Sequence, residues 1–179
     1  MYWEKPGIAC TEKTIELAAV AACEKGIKYI VVASNTGKTA EHFAGKEFEV
    51  VCVTHVNGFR SPGENEMKEE DRQRLIQKNI KVLTTTHALS GAERALSNKF
   101  AGIYPVEIMA NTLRMFGQGV KVCVEVATMA LDAGLIPHGE HIIAVGGTGR
   151  GADTAIVIKP AHAMDILSTH IEEIICKPI

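Results

Sequence analysis

Tyr29-Ile30-Val31-Val32-Ala33-Ser34-Asn35-Thr36-Gly37-Lys38-Thr39-Ala40 is the stretch on which the fold turns. Its first five residues are apolar without alternation, which fits a central strand covered on both faces. The polar and glycine positions that follow read as a turn, and the helical pattern then runs from about Thr36 to Ala44. A turn from a buried strand into a helix start leaves backbone N–H groups without partners and adds the positive end of a helix dipole. Ser34, Thr36 and Thr39 add hydroxyls, Asn35 an amide and Lys38 a charge. Gly37 is read as permitting close backbone approach. The combination predicts an anion site suited to a phosphate. The plain alternative is that Ser34 or Thr36 only caps the helix. A Walker loop is excluded, because Gly37-Lys38-Thr39 lacks the upstream glycine at the required spacing.

Outward from this stretch, β-rich runs alternate with helical patterns, the signature of parallel strands joined by crossover helices. Thr11 is expected to cap a helix that Gly26 ends. Strands are expected at Phe48 to Thr54 and Ile80 to Thr85, with a peripheral helix from Met67 to Lys78 between them. Leu89 to Ser97 reads as a short helix, and Pro105 opens another. Val120 to Ala133 alternates like a strand at Val120, Val122, Val124 and Val126. Its length and the Gly134 stop favour a helix. Ile142 to Val145 and Thr154 to Lys159 are too close for a crossover and predict an antiparallel hairpin. Ile171 to Cys176 is expected to form a final edge strand. The fold class is therefore α/β: three layers, a mostly parallel sheet and a C-terminal antiparallel hairpin, in one domain spanning 1–179.

A second glycine-rich segment, Gly146-Gly147-Thr148-Gly149-Arg150-Gly151-Ala152-Asp153-Thr154, imitates a dinucleotide fingerprint. A strand follows it rather than a helix, so a Rossmann site is excluded. A long loop with one arginine fits a flap over a bound anion; a flexible hairpin tip is the alternative. Two further loops start at strand ends, where parallel sheets bind ligands. In these loops Phe59, beside Gly58, offers a ring for stacking. His55 and His87, the latter between Thr86 and Ser90, offer polar edges. Each histidine also fits as a loop residue with an ordinary partner. Glu125 lies in an apolar stretch and is expected to be buried with a partner such as Thr128.

The chain has 179 residues, 46% apolar and 22% charged. A chain of this length buries roughly 70% of its unfolded surface. The 19 basic and 21 acidic residues give a net charge of −2, which argues against nucleic acid as a partner. No uncharged run approaches the ~18 residues of a membrane span. Met1-Tyr2-Trp3 runs straight into Glu4-Lys5-Pro6 with no export pattern, so the cytoplasm is the expected location. The five scattered cysteines read as reduced core thiols. His138 and His141 lack a third ligand at metal spacing, and no metal site is expected. Apolar positions such as Met109 and Phe116 leave room for a homo-oligomer without specifying one.

Val31 to Ala40 together with Ile143 to Ala155 resembles the C-terminal domain of pyruvate kinase. There, a Ser/Thr-Gly loop binds the phosphates of a sugar-bisphosphate effector and a Gly/Arg-rich hairpin loop closes over it. Pro6-Gly7, Val53 to Met67, His87-Ala88-Leu89-Ser90-Gly91 and Lys121-Val122-Cys123-Val124-Glu125 extend the resemblance. They make the chain similar to a family of small stand-alone proteins of this fold, found mainly in archaea, one of them with flavin mononucleotide (FMN) bound. The resemblance implies an FMN-binding flavoprotein. Ser34 to Thr39 would hold the phosphate, the Gly146 to Gly151 backbone and Arg150 would cover it, and Asp153 and Thr154 would border it. The His55–Phe59 and Thr86–Ser90 loops would meet the ring. A non-catalytic sensor of a sugar phosphate is the alternative. The catalytic barrel of pyruvate kinase has no counterpart in the sequence, so kinase activity is not implied.

Overall fold

A computed structural model describes all residues 1–179. In chain order the elements are β1 (Tyr2–Trp3), α1 (Thr11–Lys25), β2 (Tyr29–Ala33), α2 (Lys38–Glu41), β3 (Glu49–Val53), α3 (Glu69–Gln77), β4 (Lys81–Leu83), α4 (Glu93–Phe100), α5 (Pro105–Arg114), α6 (Gln118–Asp132), β5 (Ile142–Gly146), β6 (Thr154–Lys159) and β7 (His170–Pro178). Short 3-10 turns precede α1 and β7.

The seven strands form one sheet in the order β1-β7-β6-β5-β2-β3-β4. β5, β2, β3 and β4 run parallel; β6 pairs antiparallel with β5 and β7 antiparallel with β6. The expected α/β class and hairpin are therefore present. β7 is an interior strand, not an edge, because the two-residue β1 pairs parallel along its outer side. A strand that short carries no periodic signal.

The central run explains the layers. Ile30, Val31 and Val32 are all fully buried, and successive side chains of a strand point to opposite faces. Ile30 and Val32 join the core under α1, with Ala18, Ala22, Val50, Cys52, Ile143 and Val145. Val31 joins the opposite core under α6, with Val51, Val53, Cys123, Ala127, Ile142 and Ala144. Small residues on α1 let the helix lie close to the sheet, and Gly26 ends it in the left-handed conformation (φ 64°). α6 is a helix despite its alternating valines. It is buried along nearly its whole length from Gly119 to Leu131, and its polar residues Gln118, Lys121, Glu125, Thr128 and Asp132 recur at three- and four-residue spacing along one face.

Several boundaries differ from expectation: the strands β3 and β4 are shorter, the short helix expected at Leu89 to Ser97 runs from Glu93 to Phe100, and two further differences bear on the site. Thr11 is the first helical residue of α1 rather than its cap, since Cys10 occupies the cap position. Thr11 Oγ1 instead accepts a hydrogen bond from Ala152 N at 3.0 Å. The helix expected over residues 36–44 contracts to the single turn of α2. Its dipole is correspondingly small, and the macrodipole contributes little at this turn.

From β2 the chain steps to β3 and β4 on one side, then returns to place β5 on the other side of β2. The topological switch point therefore lies between the carboxyl ends of β2 and β5. Open α/β sheets bind ligands in the crevice at such a point. The Ser34–Thr39 and Gly146–Gly151 loops flank it.

Candidate functional site

The loop after β2 is anchored at its start and open beyond it. Ser34 N donates to Val53 O at 2.9 Å, and Glu41 N donates to Gly37 O at 3.0 Å. Between them, the amides of Asn35, Thr36, Gly37, Lys38, Thr39 and Ala40 donate to no protein acceptor. Neither Ser34 nor Thr36 caps α2: the cap position is Gly37 and no side chain bonds there. Thr36 and Lys38 are exposed, while Ser34, Gly37 and Thr39 are buried. Gly37 has a different role from the one its position suggests. Its φ is 78°, and a Cβ there would lie 2.5 Å from Leu75 Cδ1. The glycine is needed where α3 packs over the turn, not where a ligand would approach. Cys52 lies beneath, donating to Ser34 O at 3.4 Å. Burial pushes its thiol up to about 12, so it stays protonated and is no nucleophile.

Across the switch point, the glycine-rich loop is tied down from within. The Asp153 carboxylate accepts from Gly7 N and Thr148 N, each at 3.0 Å, and from Thr154 Oγ1 at 2.8 Å. Trp3 Nε1 donates to Asp153 O at 2.7 Å. Asp153 and Thr154, expected to border the ligand, are fully buried and their polar side-chain atoms are taken up inside the protein. The glycines serve close packing. A Cβ at Gly147 would lie 2.8 Å from Gly151 O, and one at Gly151 2.3 Å from Thr11 Oγ1. Only Gly149 and Arg150 at the tip are fully exposed. The loop is a hairpin stapled at its base, with an exposed arginine at its tip.

The loops after β3 and β4 meet as an aromatic cluster. His55 stacks on Phe59 with ring centroids 3.8 Å apart, and His87 lies 5.5 Å from His55 and 5.4 Å from Phe59. Asn35 connects this cluster to the open loop: His55 N donates to Asn35 Oδ1 at 3.2 Å, and Asn35 Nδ2 lies 3.4 Å from His55 Nε2. His55 Nδ1 lies 2.5 Å from Glu66 Oε2, and Glu66 also pairs with Arg60 at 2.8 Å. A carboxylate at Nδ1 assigns the proton to that nitrogen and leaves Nε2 as an acceptor. Gly58 (φ 80°) turns the chain so that Phe59 presents an exposed ring.

His87 is fixed differently. Its Nε2 accepts from Val56 N at 3.4 Å. Burial holds its imidazole below the usual value, with the charge of Glu125 opposing. Glu125 is buried, as its apolar surroundings implied, but its partner is Lys121 rather than Thr128. Lys121 Nζ donates to Glu125 Oε2, and Leu89 N donates to Glu125 Oε1 at 2.9 Å. Thr128 Oγ1 is left without a partner. Burial lowers the Lys121 ammonium from its usual range, and Glu125 offsets this. The pair fastens the Thr86–Ser90 loop to α6. Thr86 is exposed and Ser90 half-buried beside it.

Of the expected site residues, the structure brings Ser34 to Thr39, His55, Phe59 and His87 together along one edge of the sheet. Gly146 to Gly151 stands opposite them. Sequence reading missed Glu66, whose eleven-residue separation from His55 carries no local signal. It also missed Lys121, although a lysine four residues before a buried carboxylate is a readable helical pair.

An open, mostly parallel sheet with helices on both faces and loops gathered around a switch point defines an α/β domain. Residues 12–158 match the family model described as pyruvate kinase, alpha/beta domain, and the chain belongs to that family. No helix is long and apolar enough to cross a membrane.

Proposed function

We propose that the chain binds a phosphorylated small molecule at the switch point, with FMN as the leading ligand. The observation that carries this reading is the run of six vacant amides from Asn35 to Ala40. A phosphate dianion is suited to them: each charge-assisted hydrogen bond contributes roughly 1.5–3 kcal/mol. Lys38 from one side and Arg150 from the other add positive charge. The planar part of the ligand would lie toward Phe59, His55 and His87.

These residues fit both ends of FMN: vacant donors for the phosphate, an aromatic surface for the ring. FMN, when bound, supplies hydride or electron transfer. The chain's own part is to hold the phosphate, orient the ring and shield one face of it with Phe59. Whether this amounts to an oxidoreductase depends on a second reactant.

The test is direct. Protein purified without added ligand should be yellow, or should bind FMN in an absorbance titration. Lys38→Glu places a negative charge beside the amides and should weaken that binding at least about tenfold. Colourless protein whose melting temperature rises with a sugar phosphate and not with FMN would move the reading to a metabolite sensor. No response to either overturns the phosphate site.

A further inference from the structure

A separate cleft of about 500 Å³ opens beyond the carboxyl ends of β3 and β4. Its size is that of a small-molecule site. Arg72 and Glu69 of α3, Asn57 and three consecutive threonines, Thr84, Thr85 and Thr86, are among the residues that line it. A guanidinium has five N–H donors. Arg72 Nη2 donates to Thr84 Oγ1 at 2.8 Å, and that is its only hydrogen bond to the protein. The nearest carboxylate, on Glu69, lies 3.9 Å from Arg72 Nε, beyond hydrogen-bonding distance. Gln73 Nε2 holds Glu69 by its other oxygen at 2.6 Å, and the Glu69 side chain is 69% exposed.

The Arg72 side chain, by contrast, is only 23% exposed. A largely covered guanidinium that lines a polar cleft and makes one hydrogen bond lacks the bidentate partner that this group is built to take. The hydroxyls of Thr85 and Thr86 make no hydrogen bond within the protein either. Thr84 is held in place from the other side, where Thr54 Oγ1 lies 2.6 Å from its hydroxyl. The cleft wall is therefore rigid where it meets the arginine and unsatisfied where it faces the opening.

We propose that this cleft is a second anion subsite, which takes the carboxylate or phosphate of a small polar molecule. Arg72 is its charged anchor, and Thr85 and Thr86 are its hydroxyl partners. It goes beyond the phosphate loop and does not depend on it. The two sites lie on the same edge of the sheet with the His55–Phe59–His87 cluster between them. An anion here belongs either to a second reactant or to the far end of an extended ligand.

The experiment is a titration of the full-length, 15N-labelled chain with malonate and, separately, with inorganic phosphate, at constant ionic strength. Amide and arginine Nε–H signals are followed. Saturable shifts are expected at Arg72 Nε–H and at the Thr84, Thr85 and Thr86 amides. Saturation by malonate alone marks the subsite as one for carboxylates, and by phosphate alone as one for phosphates. Arg72→Gln should weaken the affinity at least about tenfold. Thr85→Val, which removes a hydroxyl without a protein partner, should weaken it about threefold in an unaltered fold. No saturable shift at these residues with either anion overturns the proposal. So does an unchanged affinity in Arg72→Gln, or in Thr85→Val should the arginine variant fail to fold. The Asn35 to Ala40 amides respond separately, so failure at one site is distinguishable from failure at the other.

Discussion

The two polar, glycine-containing loops at the switch point look alike in sequence and differ in what satisfies them. Gly146–Gly151 is pinned by the protein's own anion through Thr148 N, while the amides of Gly147, Gly149, Arg150 and Gly151 donate to no protein acceptor. Asp153, fully buried, takes Gly7 N, Thr148 N and the Thr154 hydroxyl. The Thr86–Ser90 loop is served in the same way, by Glu125 through Leu89 N. Asn35–Ala40 has no such internal carboxylate, and its six amides are left over. A loop whose anchoring donor is filled by an internal carboxylate belongs to the scaffold at its base, and only its tip is left for a ligand. A loop whose donors are vacant has the capacity to receive a ligand. Composition does not separate the two cases, because Asp153 shows its anchoring role only once the fold brings Gly7 N, 146 residues away, to its carboxylate.

The largest expected effect lies on the filled side. Lys121→Met leaves Glu125 buried without its cation, and such a change costs about 3–5 kcal/mol. At ~2–4 °C per kcal/mol for a chain of this size, melting should fall by roughly 10 °C by calorimetry. A change under 2 °C would mean that Glu125 is not a structural anchor. Asp153→Ala strands three donors and should destabilise by about 3 kcal/mol. FMN affinity measured well below the new melting point should move little if this loop is scaffold; a loss as large as that of Lys38→Glu would erase the distinction between the loops.

On the vacant side the pattern reverses. Lys38→Glu should leave melting within about 1 °C, because Lys38 is exposed and forms no ion pair, while ligand affinity falls at least about tenfold. Arg150→Ala, at the exposed tip of the filled loop, should weaken binding only about threefold. Equal losses in the two variants would show that both loops hold the anion. The smallest effect concerns pH. His87 is held below its ordinary value in the folded chain by burial, so near and below pH ~6.5 the unfolded chain binds more protons. Its contribution is complete above that pH and is lost as pH falls toward the folded value. His87→Gln should flatten the pH dependence of urea stability between pH 5 and 7. An identical slope would place the titration elsewhere.

Much of the frame was legible in the sequence. The unalternating Tyr29–Ala33 run is a strand covered on both faces. The short spacing between Ile142–Val145 and Thr154–Lys159 gives the antiparallel pair. Length outweighed alternation in α6, where the polar residues Lys121, Glu125, Thr128 and Asp132 carry the helical period that the alternating valines obscure. What stayed illegible depends on distant partners. β1 is too short to leave a pattern, and without it β7 reads as an edge. Thr11 looks like a cap until Ala152 N, 141 residues away, is brought to its hydroxyl. Gly37 reads as making room for a ligand until Leu75 is folded into the space a Cβ would take. The site was read as a set of loops at strand ends. The charge pairs that fix those loops, His55–Glu66 and Lys121–Glu125, went unread.

The only tryptophan of the chain, Trp3, donates its indole N–H to the carbonyl of Asp153. Intrinsic fluorescence is therefore a report from one place: the seam where the first strand meets the base of the glycine hairpin. Emission excited at the indole band will follow the detachment of this seam. Energy transfer from the same indole to a yellow chromophore would measure, without any label, how far from that seam the chromophore lies.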